Sequence, residues 1–355
     1  MVSSGPQVWR GLAAGPHSAG FRQVGAGNAV SLWYPATEGG TAVTLRRYYG
    51  AESARAYEAF LIGAGVPATT ARATLDTAMA AREDAPPAPG RYAVVLIAQG
   101  NAHAAPDQAV LAEFLATHGY IVVTTPSPMV DTPMTSEEQV GPFAERQAGE
   151  LQQALAVATS TLDCADAARA GVIGHSFGAR AALLLAMRDP RMKAIVSLDG
   201  GIGTATAIAG LRTAPSFDTA RATAPILHYY ERLDAYMAPD FTLLNSLPAR
   251  VTTREVTGMH HIHFTTLGFL AAITPELAAI TGAGPQIDQS LLDVANGTLA
   301  FLDAHVGQGI RHAHRSTPTL RRKPGDAASG QGVRHPIELR DSVTALRPFV
   351  PSLDR

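Results

Sequence analysis

The chain has 355 residues, 46% of them apolar, enough to bury a large core in one main domain with excursions. Its 28 basic and 30 acidic side chains give a formal charge of −2, so no global field draws in nucleic acid or an anionic membrane, and a small or locally bound substrate fits better. A single cysteine, Cys164, rules out an intrachain disulfide. No run of about 18 apolar residues suits a membrane span, and residues 1–6 lack the basic and apolar regions of a secretory signal. The expectation is a soluble chain, compatible with the cytoplasm and, had a signal been removed, with export.

Residues 21–24 and 29–34 read as short antiparallel strands opening a mixed sheet, the second stopped by Pro35. Alanine-rich sequence over 51–82, interrupted by Gly63-Ala64-Gly65-Val66-Pro67, predicts two helices. A stiff connector, Pro86-Pro87-Ala88-Pro89-Gly90, precedes the regular part. The apolar run 92–98 suits a strand buried on both faces, and 107–117 an amphipathic helix capped at His118-Gly119. Residues 120–125 form the next strand, 126–142 a Pro/Ser/Thr/Asp-rich loop or lid, and 143–161 a helix. Further strands are expected at 170–173, 192–198, 224–230 and 250–256, and helices at 179–186 and 290–306. Residues 202–221, Gly/Ala/Thr-rich and aperiodic, read as a mobile cover. Strand and helix alternation at this spacing implies a mostly parallel, doubly wound α/β sheet with helices on both faces. It would fill residues 1–307, with 308–355 as a C-terminal extension of different composition.

The chemistry centres on Gly174-His175-Ser176-Phe177-Gly178. A buried strand before it and a helix after it make a nucleophile elbow. The corner strains the serine backbone, tolerable only if the residues two positions away lack side chains, as Gly174 and Gly178 do. It also aims the Phe177 N–H at any oxyanion formed there. A serine hydroxyl needs an imidazole to take its proton and a carboxylate to orient that imidazole. Two acids compete: Asp199, ending the strand after the elbow helix, and Asp234, past the next strand. Three histidines compete in His260-His261-Ile262-His263. That run could suggest a metal site, but a catalytic base explains its position better, and neither metal nor cofactor is expected. His175 reads as packing beside the elbow.

The elbow, Leu198-Asp199-Gly200, His261-Ile262-His263-Phe264-Thr265 and Trp33-Tyr34-Pro35-Ala36 together resemble the platelet-activating-factor acetylhydrolase-like branch of the α/β-hydrolases, near the dienelactone hydrolases, over about residues 20–306. The resemblance implies an α/β-hydrolase fold with an eight-stranded-type sheet. It makes Ser176 the nucleophile, His261 the base, since only it has Phe at +3, and Asp199 the acid, with Asp234 the alternative acid and His260 and His263 the alternative bases. It adds the Asn101 N–H, after Gln99-Gly100, as a second oxyanion donor beside Phe177. Two departures stand out: Gln99 replaces a usual histidine, and Thr266 a usual aspartate. The implied activity is hydrolysis of a small-molecule or polymer ester through an acyl-enzyme. Acyl transfer or amide cleavage by the same nucleophile, and an inactive binding module, are the competing readings.

Overall fold

The computed structural model describes residues 5–25, 29–130, 132, 134 and 136–307; the predicted extension 308–355 lies outside them. The strands are β1 Ser18–Val24, β2 Val30–Ala36, β3 Thr41–Thr44, β4 Ala78–Glu83, β5 Tyr92–Ala98, β6 Tyr120–Thr124, β7 Ala165–His175, β8 Met192–Leu198, β9 Ile226–Tyr230 and β10 Val251–Glu255. They form one sheet in the order β10-β9-β8-β7-β5-β6-β2-β1-β4-β3. From β6 to β10 every pairing is parallel; β2 runs antiparallel to both β6 and β1.

The sheet is a two-sided core because its strands are apolar on both faces. In β5, Ala93, Val95 and Ile97 join one hydrophobic cluster with helix α3 (Ala109–Thr117) and helix α10 (Ile287–His305). Val94, Leu96 and Ala98 join the other, with helix α4 (Val140–Thr161) and helix α5 (Gly178–Arg188). Each fully buried Val, Leu or Ile contributes about 1.5–3 kcal/mol, so this alternation fixes the register of the strands that carry the site.

Among the described residues the sheet has ten strands where eight were expected. Ala78–Glu83, read as helical from its alanines, is a strand: Met79 and Ala81 are buried, and the Ala81 N–H donates to the buried Glu113 carboxylate at 2.8 Å. Glu113 also accepts from Trp9 Nε1 at 3.0 Å and Tyr48 OH at 2.5 Å, and burial pushes its pKa up despite these donors. Tertiary satisfaction of that carboxylate overrides helix propensity. β3 was not anticipated; it pairs with β4 at the sheet edge. The two helices in this region are α1 (Leu45–Gly63) and α2 (Ala68–Leu75).

Other departures are local. β2 continues through Pro35, because its β6 partners reach only Trp33 and the missing donor costs no ladder bond on that side. α3 is buried all round instead of amphipathic. α4 starts at Val140 rather than 143. Residues 202–221 carry helix α6 (Ala207–Leu211), with Ile202, Ala207 and Leu211 buried, instead of aperiodic chain. Helix α7 (Thr242–Ser246) precedes β10, and two short helices, α8 (Thr266–Ala271) and α9 (Pro275–Thr281), follow it.

Candidate active site

β7 ends at His175 and α5 begins at Gly178, leaving Ser176 and Phe177 as the corner. Ser176 has φ 53°, in the left-handed region that non-glycine residues avoid. A Cβ at Gly178 would lie 2.1 Å from the Ala98 carbonyl oxygen, and one at Gly174 2.4 Å from Ala179 Cα, so both positions require glycine. Three backbone hydrogen bonds hold the corner. Ser176 N–H donates to Leu198 C=O at 3.2 Å, and Ser176 C=O accepts from Ala179 N–H at 3.2 Å and Gly201 N–H at 2.8 Å.

His261 opens a short 3-10 turn, His261–Phe264, after β10. Its Nε2 lies 2.8 Å from Ser176 Oγ and its Nδ1 2.5 Å from Asp199 Oδ2. A carboxylate can only accept, so Nδ1 carries the proton and Nε2 is left to accept from the serine hydroxyl. Asp199, 2% exposed, is fixed on three sides: φ is 43°, its N–H donates to Tyr229 C=O at 2.9 Å, and Oδ1 accepts the Glu231 N–H at 3.2 Å.

Asp234, the rival acid, is nearby but meets no imidazole of His261. Its Oδ1 is 3.0 Å from His260 Nδ1, and its Oδ2 accepts the His261 backbone N–H at 2.8 Å. Burial works to raise Asp234, but the His260 and His261 donors win and hold it below the usual carboxylate range. The bond to Asp234 raises His260. His263 Nδ1 accepts the His260 N–H at 2.9 Å, and burial lowers His263 to about 4. The three histidines therefore diverge to different partners instead of converging on one point. Among the described residues no three His, Cys, Asp or Glu side chains form a metal set.

His175 stacks on the His261 ring, with centroids 4.8 Å apart and planes 27° from parallel, and its Nε2 donates to His261 C=O at 3.3 Å. Burial, with His261 and His103 nearby, holds it neutral well below the usual histidine range. The loop carrying Asn101 is supported from below. Gln99 Nε2 donates to Ala105 C=O at 2.9 Å, and Gln99 C=O accepts from Gln147 of α4 at 2.9 Å. Among the described residues, neither the Asn101 nor the Phe177 N–H has a hydrogen-bond acceptor in the chain. Thr266 Oγ1 accepts the Val110 N–H and donates to Pro106 C=O, each at 3.4 Å. Thr265 Oγ1 caps α8 by accepting the Leu267 N–H, and Gln108 Nε2 holds Phe264 C=O at 2.9 Å.

Residues that sequence reasoning missed include Glu231, Gln147 and Tyr236. Glu231 is buried, and its carboxylate accepts the Leu233 and Asp234 N–H groups; burial, with Asp199 and Asp234 close by, raises it. The acidic pair Glu231 and Asp234, three apart after a strand, was the available signal. Tyr236 sets its ring edge-to-face on His261 at 5.5 Å, with 59% of the residue exposed. In the segments expected as covers, Ser127 of 126–142 donates its N–H to His103 C=O at 2.9 Å, and Arg180 Nη2 of α5 donates to Thr206 Oγ1 of 202–221 at 3.1 Å. Asp131, Pro133 and Thr135 of the first segment lie outside the described residues. A cleft of about 360 Å³ between β10 and α10, walled by Arg250, Arg254, Phe301 and His305, contains none of these groups.

Sheet order, elbow and a histidine following the last strand define an α/β-hydrolase fold. Residues 70–224 match the chlorophyllase family, a span that holds Ser176 and Asp199 and stops before His261. Over 108 residues, 30% of this chain, the sequence is 33% identical to Cutinase 1 of Thermobifida cellulosilytica, covering 39% of it. Cutinase of Thermobifida fusca (strain YX) matches at 33% over 108 residues, 34% of its length. The match thus spans well under half of these relatives. The fold is similar to that of a ferulic acid esterase from Streptomyces cinnamoneus, with TM-score 0.58 and 20% identity over 81% of this chain and 86% of that one.

Proposed function

We propose that the protein is a serine-dependent carboxylic ester hydrolase. The observation that carries this reading is the continuous line Ser176 Oγ to His261 Nε2 at 2.8 Å and His261 Nδ1 to Asp199 at 2.5 Å. Ser176 Oγ attacks the ester carbonyl carbon while His261 Nε2 takes the hydroxyl proton. The oxyanion is held by the Phe177 and Asn101 N–H groups. Collapse expels the alcohol, which leaves with the proton from His261. Water then attacks the acyl-enzyme, giving its proton to His261, and Ser176 recovers it as the acid departs.

The substrate is an ester with an apolar portion. Supporting this, Leu233 and Tyr236 are 56% and 59% exposed on the loop that touches His261, which sets apolar surface beside the base for a substrate to cover. The similarity to cutinases and a ferulic acid esterase points the same way. Residues 1–307 form the catalytic unit in this reading, 126–142 and 202–221 its covers, and 308–355 an extension. Placing the acid in Leu198-Asp199-Gly200 after β8 also supports kinship with the platelet-activating-factor acetylhydrolase-like and dienelactone hydrolase-like branch. Ser176→Ala should reduce p-nitrophenyl butyrate hydrolysis to background and abolish fluorophosphonate labelling; retained turnover would remove the mechanism.

A further inference from the structure

The chain carries a second acid and histidine pair beside the first, and nothing in the mechanism above uses it. Asp234 divides its two oxygens: one meets the His260 imidazole at 3.0 Å, the other accepts the backbone N–H of His261 itself at 2.8 Å. We propose that Asp234 and His260 are a positioning pair, which pins the turn carrying the base. The proposal rests on the catalytic reading of His261.

Three features separate this from an ordinary surface ion pair, which contributes little. Both side chains are mostly covered, with 15% and 18% exposed. Asp234 is itself fixed, since Glu231 accepts its N–H at 3.1 Å while the Glu231 N–H donates to Asp199. One continuous set of bonds therefore runs from the acid of the triad to the backbone of its base. And the ring of His260 lies so close to Gly282, at the end of α9, that a Cβ there would be 2.9 Å from His260 Nε2, so the imidazole is held from behind.

Glu231 faces both members from the end of β9, with Asp199 beyond it, His263 from the same turn with its ring 5.8 Å from His260, Tyr236 close to Asp234, and His175 from beneath His261. Removing His260 leaves one Asp234 oxygen without its donor, and removing Asp234 strips both the His260 imidazole and the His261 backbone N–H of their acceptor.

The test is a histidine-resolved NMR titration of the full chain. Asp234→Asn should lower the pKa of His260 and, with carboxyl carbon signals read alongside, His260→Gln should raise that of Asp234. Shifts of the same sign, or none, would overturn the pair. Asp234→Ala should lower kcat for p-nitrophenyl butyrate roughly ten- to a hundred-fold with KM little changed; wild-type kcat would also overturn it. If the wild-type protein cleaves no ester the catalytic reading falls, while the titration still reads the pair.

Discussion

Asp199 carries its role through its surroundings. With 2% exposure and three fixed contacts it has one orientation, and that orientation offers Oδ2 to His261. Asp199→Asn should place an amide where the imidazole N–H needs an acceptor and lower kcat by about a thousand-fold or more, whereas Asp234→Asn should cost far less; steady-state kinetics on an activated ester compares them. Sequence spacing alone could not rank the two acids, because each ends a parallel strand and both end near the same histidine. What separates them is the course of residues 230–234, where Glu231 gives its N–H to Asp199 and takes that of Asp234. The elbow was legible at once, since Gly-x-Ser-x-Gly states a steric need that the Ala98 carbonyl at 2.1 Å makes concrete. The orienting role of Glu231 was not, since its spacing from Asp234 marks an acidic pair but not that its own N–H would hold Asp199.

At the scale of elements, the continuous apolar run 92–98 announced β5 at the bounds it adopts, as a strand buried on both faces demands, and β8 also keeps its expected bounds although Lys193 and Ser197 interrupt its apolar sequence. β3, β4, α8 and α9 were silent: each is short, and β4 exists through Glu113 and its edge partners rather than through its own alanines. The loop carrying Asn101 depends on α4 in the same non-local way. Gln147→Leu would strip Gln99 C=O of its donor, which should cost about 1–3 kcal/mol. If the loop presents Asn101, kcat should fall as well. Thermal denaturation and ester kinetics on one preparation check both.

For the whole molecule, three buried histidines set the acid limit. His228, donating or accepting only against Ser197 Oγ at 2.8 Å, and His263 are each lowered to about 4 by burial, and His175 is lowered well below its usual range. These groups stay neutral in the fold and gain protons more readily when it opens. The stability they confer is thus complete above the unfolded value near 6.5 and is lost as pH falls toward the folded values. Denaturant midpoints should therefore decline between about pH 6.5 and 4, and His228→Asn should flatten that decline if its amide satisfies Ser197.

β8 and β9 are hydrogen-bonded neighbours, so their ends lie about one strand spacing, ~4.8 Å, apart. Asp199 follows one and Asp234 the other, within reach of a single turn. A carboxylate from either strand end can therefore reach the turn that carries His261, and this chain sets one at each: Asp199 on the ring and Asp234 on the backbone N–H.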